Sequence, residues 1–300
     1  MRCYASAVWQ LNCVTKGLPM ANTTDVGGVS IEYPAEGVGL VEINNPPMNM
    51  WYLGLAKKMA DAMDEVRESG AKVLILASGT PGYFLAHMSL QDSIDIAEGR
   101  EPTGDFGGMA RCGAELRLGP MVSIAVNNGQ CWGGGCELFS TANLRVAGES
   151  ATFGQPEVIM GSMAAGAGTS RIPRVIGEAR AMELLLDGRP ISARKALHWG
   201  FVNRVFPDDT LREETIKWAA LIASRPGYTL QAIKRSIGKG LDLASHKEAF
   251  ANEYQVNRDM IDPHADENMV LRKAIQERYN EGADSWDAWQ IEREVIDWDD

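Results

Sequence analysis

Residues 121–158 read MVSIAVNNGQCWGGGCELFSTANLRVAGESATFGQPEV. MVSIAVNNG is a short apolar run closed by turn formers, the pattern of a buried strand. GGGCELFSTA then opens an amphipathic segment on glycines, LRVA supplies a second short strand, and ATFGQPEV reads as a turn-rich connection. Short apolar strands alternating with helices mark α/β units, in which both faces of the sheet are covered.

The same grammar extends upstream. VSIEY and VGLVEI alternate around the turn residues PAEG, as in an antiparallel hairpin. In WYLGLAKKMADAMDEVRES the apolar Leu55, Met59, Met63 and Val66 recur at helical spacing, with Ser69-Gly70 as a C-terminal stop. VLILA, residues 73–77, is a buried strand. The stretch Gln91–Gly119, rich in glycine and mixed charge, reads as a mobile loop with helical pieces, of a length that suits a functional lid. Beyond about residue 175 apolar stripes recur in GEARAMELLLDG, ARKALHWG, TLREETIKWAALIAS, TLQAIKRSIGKG, SHKEAFANEYQVNRDM and NMVLRKAIQERYNEG. The expected organisation is a disordered leader over 1–22, an α/β core over 23–215, and a helical region over 216–300 that ends in the acidic, tryptophan-rich tail SWDAWQIEREVIDWDD. That tail packs either on a neighbouring subunit or on its own chain.

Bulk properties narrow the function classes. A net charge of −11 without any long Lys/Arg block argues against a nucleic-acid surface. No run approaches the roughly 18 to 20 apolar residues of a membrane span. The five cysteines, at 3, 13, 112, 131 and 136, are irregularly spaced and form no CxxC pair, so neither a disulfide framework nor a metal site is expected, and a reducing, cytoplasmic setting fits. Cys136 reads as a small buried thiol.

Gly133, Gly134 and Gly135 ahead of an amphipathic helix aim backbone N–H groups outward at the positive end of the helix dipole. Such a site favours the oxyanion that forms when a proton is added or removed beside a thioester carbonyl. Glu137 lies just inside the helix start, and Glu157 follows a Gly- and Pro-containing turn that can point it into a cleft. Two neighbouring carboxylates can hold a water and exchange a proton, each shifting the other's pKa. Taken alone, the same residues more readily describe a helix cap, a surface acid and a tight glycine contact.

GGGCEL (133–138), ATFGQPEV (151–158) and GAGTSRIPRVIG (166–177) closely resemble the central signature of the crotonase superfamily, the enoyl-CoA hydratases and isomerases. The likeness extends through NNPPMN (44–49), ALHWGFVNRVFPDD (196–209) and the AIKRS around Lys234. The resemblance implies a spiral of repeated ββα units with a helical C-terminal oligomerisation region and a homotrimer or homohexamer. It also implies an acyl-CoA thioester substrate, with coenzyme A as part of the substrate and no separate cofactor. By the same resemblance Glu137 orients the attacking water and Glu157 exchanges the proton at the α-carbon. Gly134 supplies one oxyanion N–H and Met88, in FLAHMSL (84–90), the second. Leu85 and Ala86 hold the adenine through backbone, and Lys234 meets a phosphate.

The sequence departs from the family pattern at His87, which replaces the usual glycine, and at Ser89, which replaces an acid. Trp132 stands where an aliphatic residue is usual. With Gly133, His87 and Trp132 are expected to shape the acyl pocket. His87 is read as a packing or hydrogen-bonding residue, with acid/base chemistry as its alternative. The activity expected is hydration of a 2-enoyl-CoA. Its rivals are an enoyl-CoA isomerase working through Glu157 alone, another crotonase-type hydrolase or lyase, and, from a different class, a non-catalytic acyl-CoA binding protein.

Overall fold

The computed structural model describes residues 28–242 and scattered positions between 248 and 281. A hairpin of β1 (Gly28–Ala35) and β2 (Val38–Asn44) leads into α1 (Leu53–Glu68) and β3 (Val73–Ser78). Next come β4 (Gly82–Leu85), α2 (Leu90–Ala97), α3 (Gly107–Leu118), β5 (Val122–Asn127), β6 (Gly129–Trp132) and α4 (Gly134–Thr141). A third turn of the spiral holds β7 (Leu144–Gly148), β8 (Thr152–Gly154), a 3₁₀ turn (Pro156–Met160), α5 (Gly168–Ile176) and α6 (Glu178–Asp187). Then β9 (Ile191–Ser192), α7 (Ala193–His198), β10 (Arg204–Phe206) and α8 (Leu211–Ala223) complete a compact unit that ends at Ser224. A second unit starts at Arg225 and contains α9 (Gly227–Gly240).

The strand pairs β3/β4, β5/β6 and β7/β8 of the spiral each send their first strand to one sheet and their second to another. The larger sheet runs β1-β2-β3-β5-β7-β10 and is parallel beyond the β1/β2 hairpin. The smaller runs β4-β6-β8-β9, antiparallel only at β8/β9. The ββα reading of the sequence is therefore the observed architecture.

The larger sheet is covered on both faces, and the side-chain period of two sorts its residues between two cores. Val41, Ile43, Leu74, Leu76 and Ala125 join α1 and its Leu55, Met59, Met63 and Val66 in one cluster. Val38, Leu40, Val73, Ile75, Ile124 and Val146 join Leu211, Ala219 and Ala223 of α8 in the other. This two-sided cover is why VGLVEI, read as an alternating strand, is buried almost throughout. Beneath α4, Phe139 packs edge-on against Phe84 at 5.5 Å and tilted against Phe153 at 5.1 Å, which fixes the depth at which the helix sits.

Two expectations need correcting. Most of the 91–119 stretch is helix rather than loop: α2 and α3 are joined by a short link. Glycine-rich composition conceals α3 because Gly108 is a crossing contact, where an added Cβ would lie 2.5 Å from Lys57 N of α1. Asp92, only 1% exposed, accepts from Leu53 N (3.0 Å), Thr103 N (2.8 Å) and Thr103 Oγ1 (3.1 Å), and so ties the link to the start of α1. In ATFGQPEV, the first half of what reads as a connection is strand β8, paired to β6 from Gln130↔Thr152 to Trp132↔Gly154. The leader, the tail and most of SHKEAFANEYQVNRDM and NMVLRKAIQERYNEG lie outside the described residues.

Candidate active site

The site is built where α4 begins. Gly133 takes φ +50°, ψ −131°, a conformation closed to ordinary side chains, and its N–H donates to Gly154 O at 2.9 Å. The chain thus turns sharply from β6 into the helix while staying tied to the end of β8. Gly134, the first helical residue, presents an N–H that has no acceptor among the described residues.

The FLAHMSL segment runs alongside. Trp51 N donates to His87 O (2.8 Å) and Ser89 N donates to Trp51 O (3.0 Å). These bonds occupy the flanking peptide groups and leave Met88 N–H on the other edge, again without an acceptor among the described residues. An added Cβ on Gly134 would lie 3.4 Å from Met88 N, so the two residues that carry these donors are in close approach. Ser89 Oγ accepts from Asp92 N at 3.4 Å, which makes the residue standing in for the usual acid the N-cap of α2.

Asn49 holds this arrangement from behind. It lies at φ +52°, fully buried, with Oδ1 accepting from Asn45 N (2.7 Å) and Nδ2 donating to Ser78 Oγ (2.9 Å) and Phe84 O (2.5 Å). Its carbonyl accepts from Ala86 N at 3.3 Å. Asn49 falls within NNPPMN, and its only signal in the sequence is a polar residue between a Pro-Pro pair and an apolar helix start.

Glu137, 7% exposed, places Oε1 to accept from Gly166 N (2.7 Å) and Gly168 N (3.0 Å). Ala167 between them adopts φ +120°, the strain that turns both N–H groups to one acceptor. Burial raises the carboxyl's pKa above its ordinary value, and the Gly168 and Gly166 donors pull it back. Glu157 sits in the first turn of the 3₁₀ segment after Pro156. Its pKa is raised by burial first; its own backbone N–H works against this, and the charge of Glu137 adds to it. Its Oε2 is buried without a partner among the described residues, as are Trp51 Nε1 and both amide atoms of Gln155.

Both glutamates, Gly133, Gly134, His87, Met88 and Trp132 line one cavity of about 1070 Å³. Its far wall comes from α3 through Met109, Ala110, Gly113 and Ala114, so the segment expected to be a lid contributes a helical wall. Trp132 is held by Nε1–H donating to Thr152 Oγ1 at 3.1 Å. His87 places Nδ1 2.7 Å from Met88 O. Arg117 and Arg171 also line the cavity and set cations beside it in an acidic chain. Leu85 and Ala86 are fully buried at the end of β4, and the Ala86 N–H is already given to Asn49. Lys234 is half-buried on α9 in the second unit.

Cys131 and Cys136 are both buried. The Cys131 thiol is pushed well up by burial and then by its contact with Cys136, which makes it a poor nucleophile. No group of three or more His, Cys, Asp or Glu among the described residues could hold a metal, and no helix among them is long and apolar enough to cross a membrane.

The profile of the family described as Enoyl-CoA hydratase/isomerase matches residues 34–281. The chain is 31% identical over 207 residues to the mitochondrial enoyl-CoA hydratase of Pongo abelii, covering 69% of this chain and 70% of that one. It is 30% identical over 225 residues to a mevalonyl-coenzyme A hydratase of Aspergillus fumigatus, covering 75% and 83%. The solved enoyl-CoA hydratase of Bacillus anthracis superposes with a TM-score of 0.73 at 26% identity, covering 85% of this chain and 96% of that one. Fold, profile and relatives agree: the chain belongs to the enoyl-CoA hydratase/isomerase family, the crotonase superfamily.

Proposed function

We propose that the protein is an enoyl-CoA hydratase, adding water reversibly across the 2,3 double bond of a 2-enoyl-CoA thioester. The observation that carries this reading is the unequal treatment of two carboxyls on one cavity. Burial raises both carboxyls, but Glu137 is fixed by donors from Gly166 N and Gly168 N, whereas Glu157 keeps Oε2 without a partner among the described residues and feels the Glu137 charge. The fixed acceptor geometry of Glu137 suits it to orient water at C3, and the less constrained Glu157 to carry the proton at C2. Water oxygen bonds to C3 as C2 takes a proton from Glu157, and the proton shed by the water restores the pair. Gly134 N–H and Met88 N–H receive the enolate-like thioester oxygen.

In this reading coenzyme A enters as part of the substrate and no further cofactor takes part. Backbone around Leu85 and Ala86 meets the adenine; with the Ala86 N–H engaged, that contact falls to carbonyls. Lys234 meets a phosphate, and Gly133, His87 and Trp132 bound the acyl group. A homotrimer or homohexamer and a cytoplasmic location complete the proposal.

Mixing the protein with crotonyl-CoA and longer 2-enoyl-CoA esters is expected to bleach the conjugated-thioester absorbance. Glu137→Gln and Glu157→Gln are each expected to slow this by about 10²-fold or more. Tight binding of acyl-CoA esters with no turnover across a broad panel would replace the hydratase reading with that of a binding protein.

A further inference from the structure

His87 is a departure from the family pattern placed inside the catalytic cavity, and the hydrogen bond of its imidazole has a definite direction. Nδ1 lies 2.7 Å from the carbonyl oxygen of Met88. A carbonyl has no proton to give, so Nδ1 carries the hydrogen and donates it. The ring closed by this bond runs from the imidazole through Cβ and Cα of His87, across the 87–88 peptide, to the Met88 carbonyl. The peptide it encloses carries the Met88 N–H, the donor beside Gly134.

The neighbouring bonds show what this closure adds. Trp51 holds one edge of the segment, its N–H donating to His87 O and its carbonyl accepting from Ser89 N. The Met88 carbonyl leaves the segment on the opposite edge, and the imidazole holds it there. Trp51 thus ties one edge of both peptide planes around Met88, and the imidazole ties the 88–89 plane a second time from the edge that carries Met88 N–H, so the donor needs little reorganisation as charge develops. We propose that His87 is the positioning residue of the second oxyanion donor: its Nδ1–H latches the Met88 carbonyl and fixes the direction of Met88 N–H. This inference rests on the oxyanion site assigned under the proposed function.

The test separates the two ring nitrogens. His87→Asn places an amide N–H near the position of Nδ1, His87→Gln places one near that of Nε2, and His87→Ala and His87→Gly provide neither. The probe is butyryl-CoA carbon-13 labelled at C1, a saturated ester that cannot be hydrated, bound to each full-length protein. Difference infrared spectroscopy reads the thioester carbonyl stretch.

The wild-type protein is expected to shift the stretch to lower wavenumber. His87→Ala, His87→Gly and His87→Gln should lose at least half of that shift, and His87→Asn should keep it. With 2-enoyl-CoA, kcat should fall about tenfold to a hundredfold in the first three at nearly unchanged KM. The Gly variant stands in for Ala if Ala fails to fold. A wild-type shift retained in the Ala or Gly variant overturns the latch alone. Retention in Gln with loss in Asn moves the role to Nε2 and also overturns it. An unshifted carbonyl in the wild-type protein overturns the oxyanion site itself, whatever the hydration assay gives.

Discussion

Gly134→Ala separates the activity of the site from the stability of the fold. An added Cβ would lie 3.2 Å from Met88 Cβ, 3.4 Å from Met88 N and 3.7 Å from Trp51 Cε3. Carbon contacts are optimal at about 3.5 to 4.0 Å, so Met88 must retreat by a few tenths of an ångström. Helix α4 itself is untroubled, because Gly134 is its first residue and its φ is not in the left-handed region. Replacing glycine there trims the entropy of the unfolded chain, a gain of about 0.4 to 1 kcal/mol. Activity should move the other way. Loss of one oxyanion donor costs about 2.7 to 4 kcal/mol, and misaligning the pair should forfeit much of that, a fall in kcat of about 10- to 10³-fold. Steady-state hydration of a 2-enoyl-CoA gives kcat and KM, and a thermal melt on the same preparation gives Tm. The expected result is reduced kcat with an unchanged or higher Tm. Wild-type kcat in Gly134→Ala would refute the pairing of Gly134 and Met88, and parallel losses of kcat and Tm would show that the glycine serves packing instead.

The buried carboxyls set a pH dependence. Glu157 titrates above its ordinary value in the folded chain, so the folded state retains a proton that the unfolded state has released. Stability therefore declines as pH rises from the ordinary carboxylate range through the raised folded pKa. Glu157→Gln should raise Tm at neutral pH and flatten that decline while slowing turnover, which melts across a pH series would read. Ala167→Gly relieves the φ of +120° between the two donors to Glu137; strain of about 1 to 3 kcal/mol, less the entropy of the new glycine, gives a net gain near 1 kcal/mol in denaturant unfolding. A net loss would mean that Ala167 is unstrained. Arg145 is buried, its pKa lowered to about 10 by burial and then by Arg171, and it donates to Phe201 O at 2.5 Å and Ala142 O at 2.7 Å. Arg145→Ala leaves both carbonyls unpaired and should cost about 3 kcal/mol, read by urea unfolding.

The parts legible in the sequence were those whose signal is local. The strand and helix periods between Val29 and Val158 located the α/β units, family likeness implied their spiral, and the glycines at 133–135 located the helix start with its outward N–H groups. Family likeness then singled out Glu137 and Glu157, which on their own chemistry read more readily as caps and surface acids. What stayed hidden depends on contacts between distant segments. Gly108 looks like a breaker until α3 is seen crossing α1. Asp92 is one acid among many until Leu53 and Thr103 converge on it. The donors from Gly166 and Gly168 to Glu137 depend on a positive φ at an alanine, which no composition announces. Asn49 likewise acts through a left-handed backbone and partners up to 35 positions away.

Isotope placement tests the central claim most directly. With a 2-enoyl-CoA in ¹⁸O-labelled D₂O, hydration by the Glu137–Glu157 pair predicts a 3-hydroxyacyl-CoA carrying one ¹⁸O at C3 and one non-exchanging deuterium at C2, readable by mass spectrometry and NMR. Deuterium in a rearranged enoyl-CoA with no added oxygen would contradict hydration in favour of isomerisation, and ¹⁸O in a released carboxylate would contradict it in favour of thioester hydrolysis.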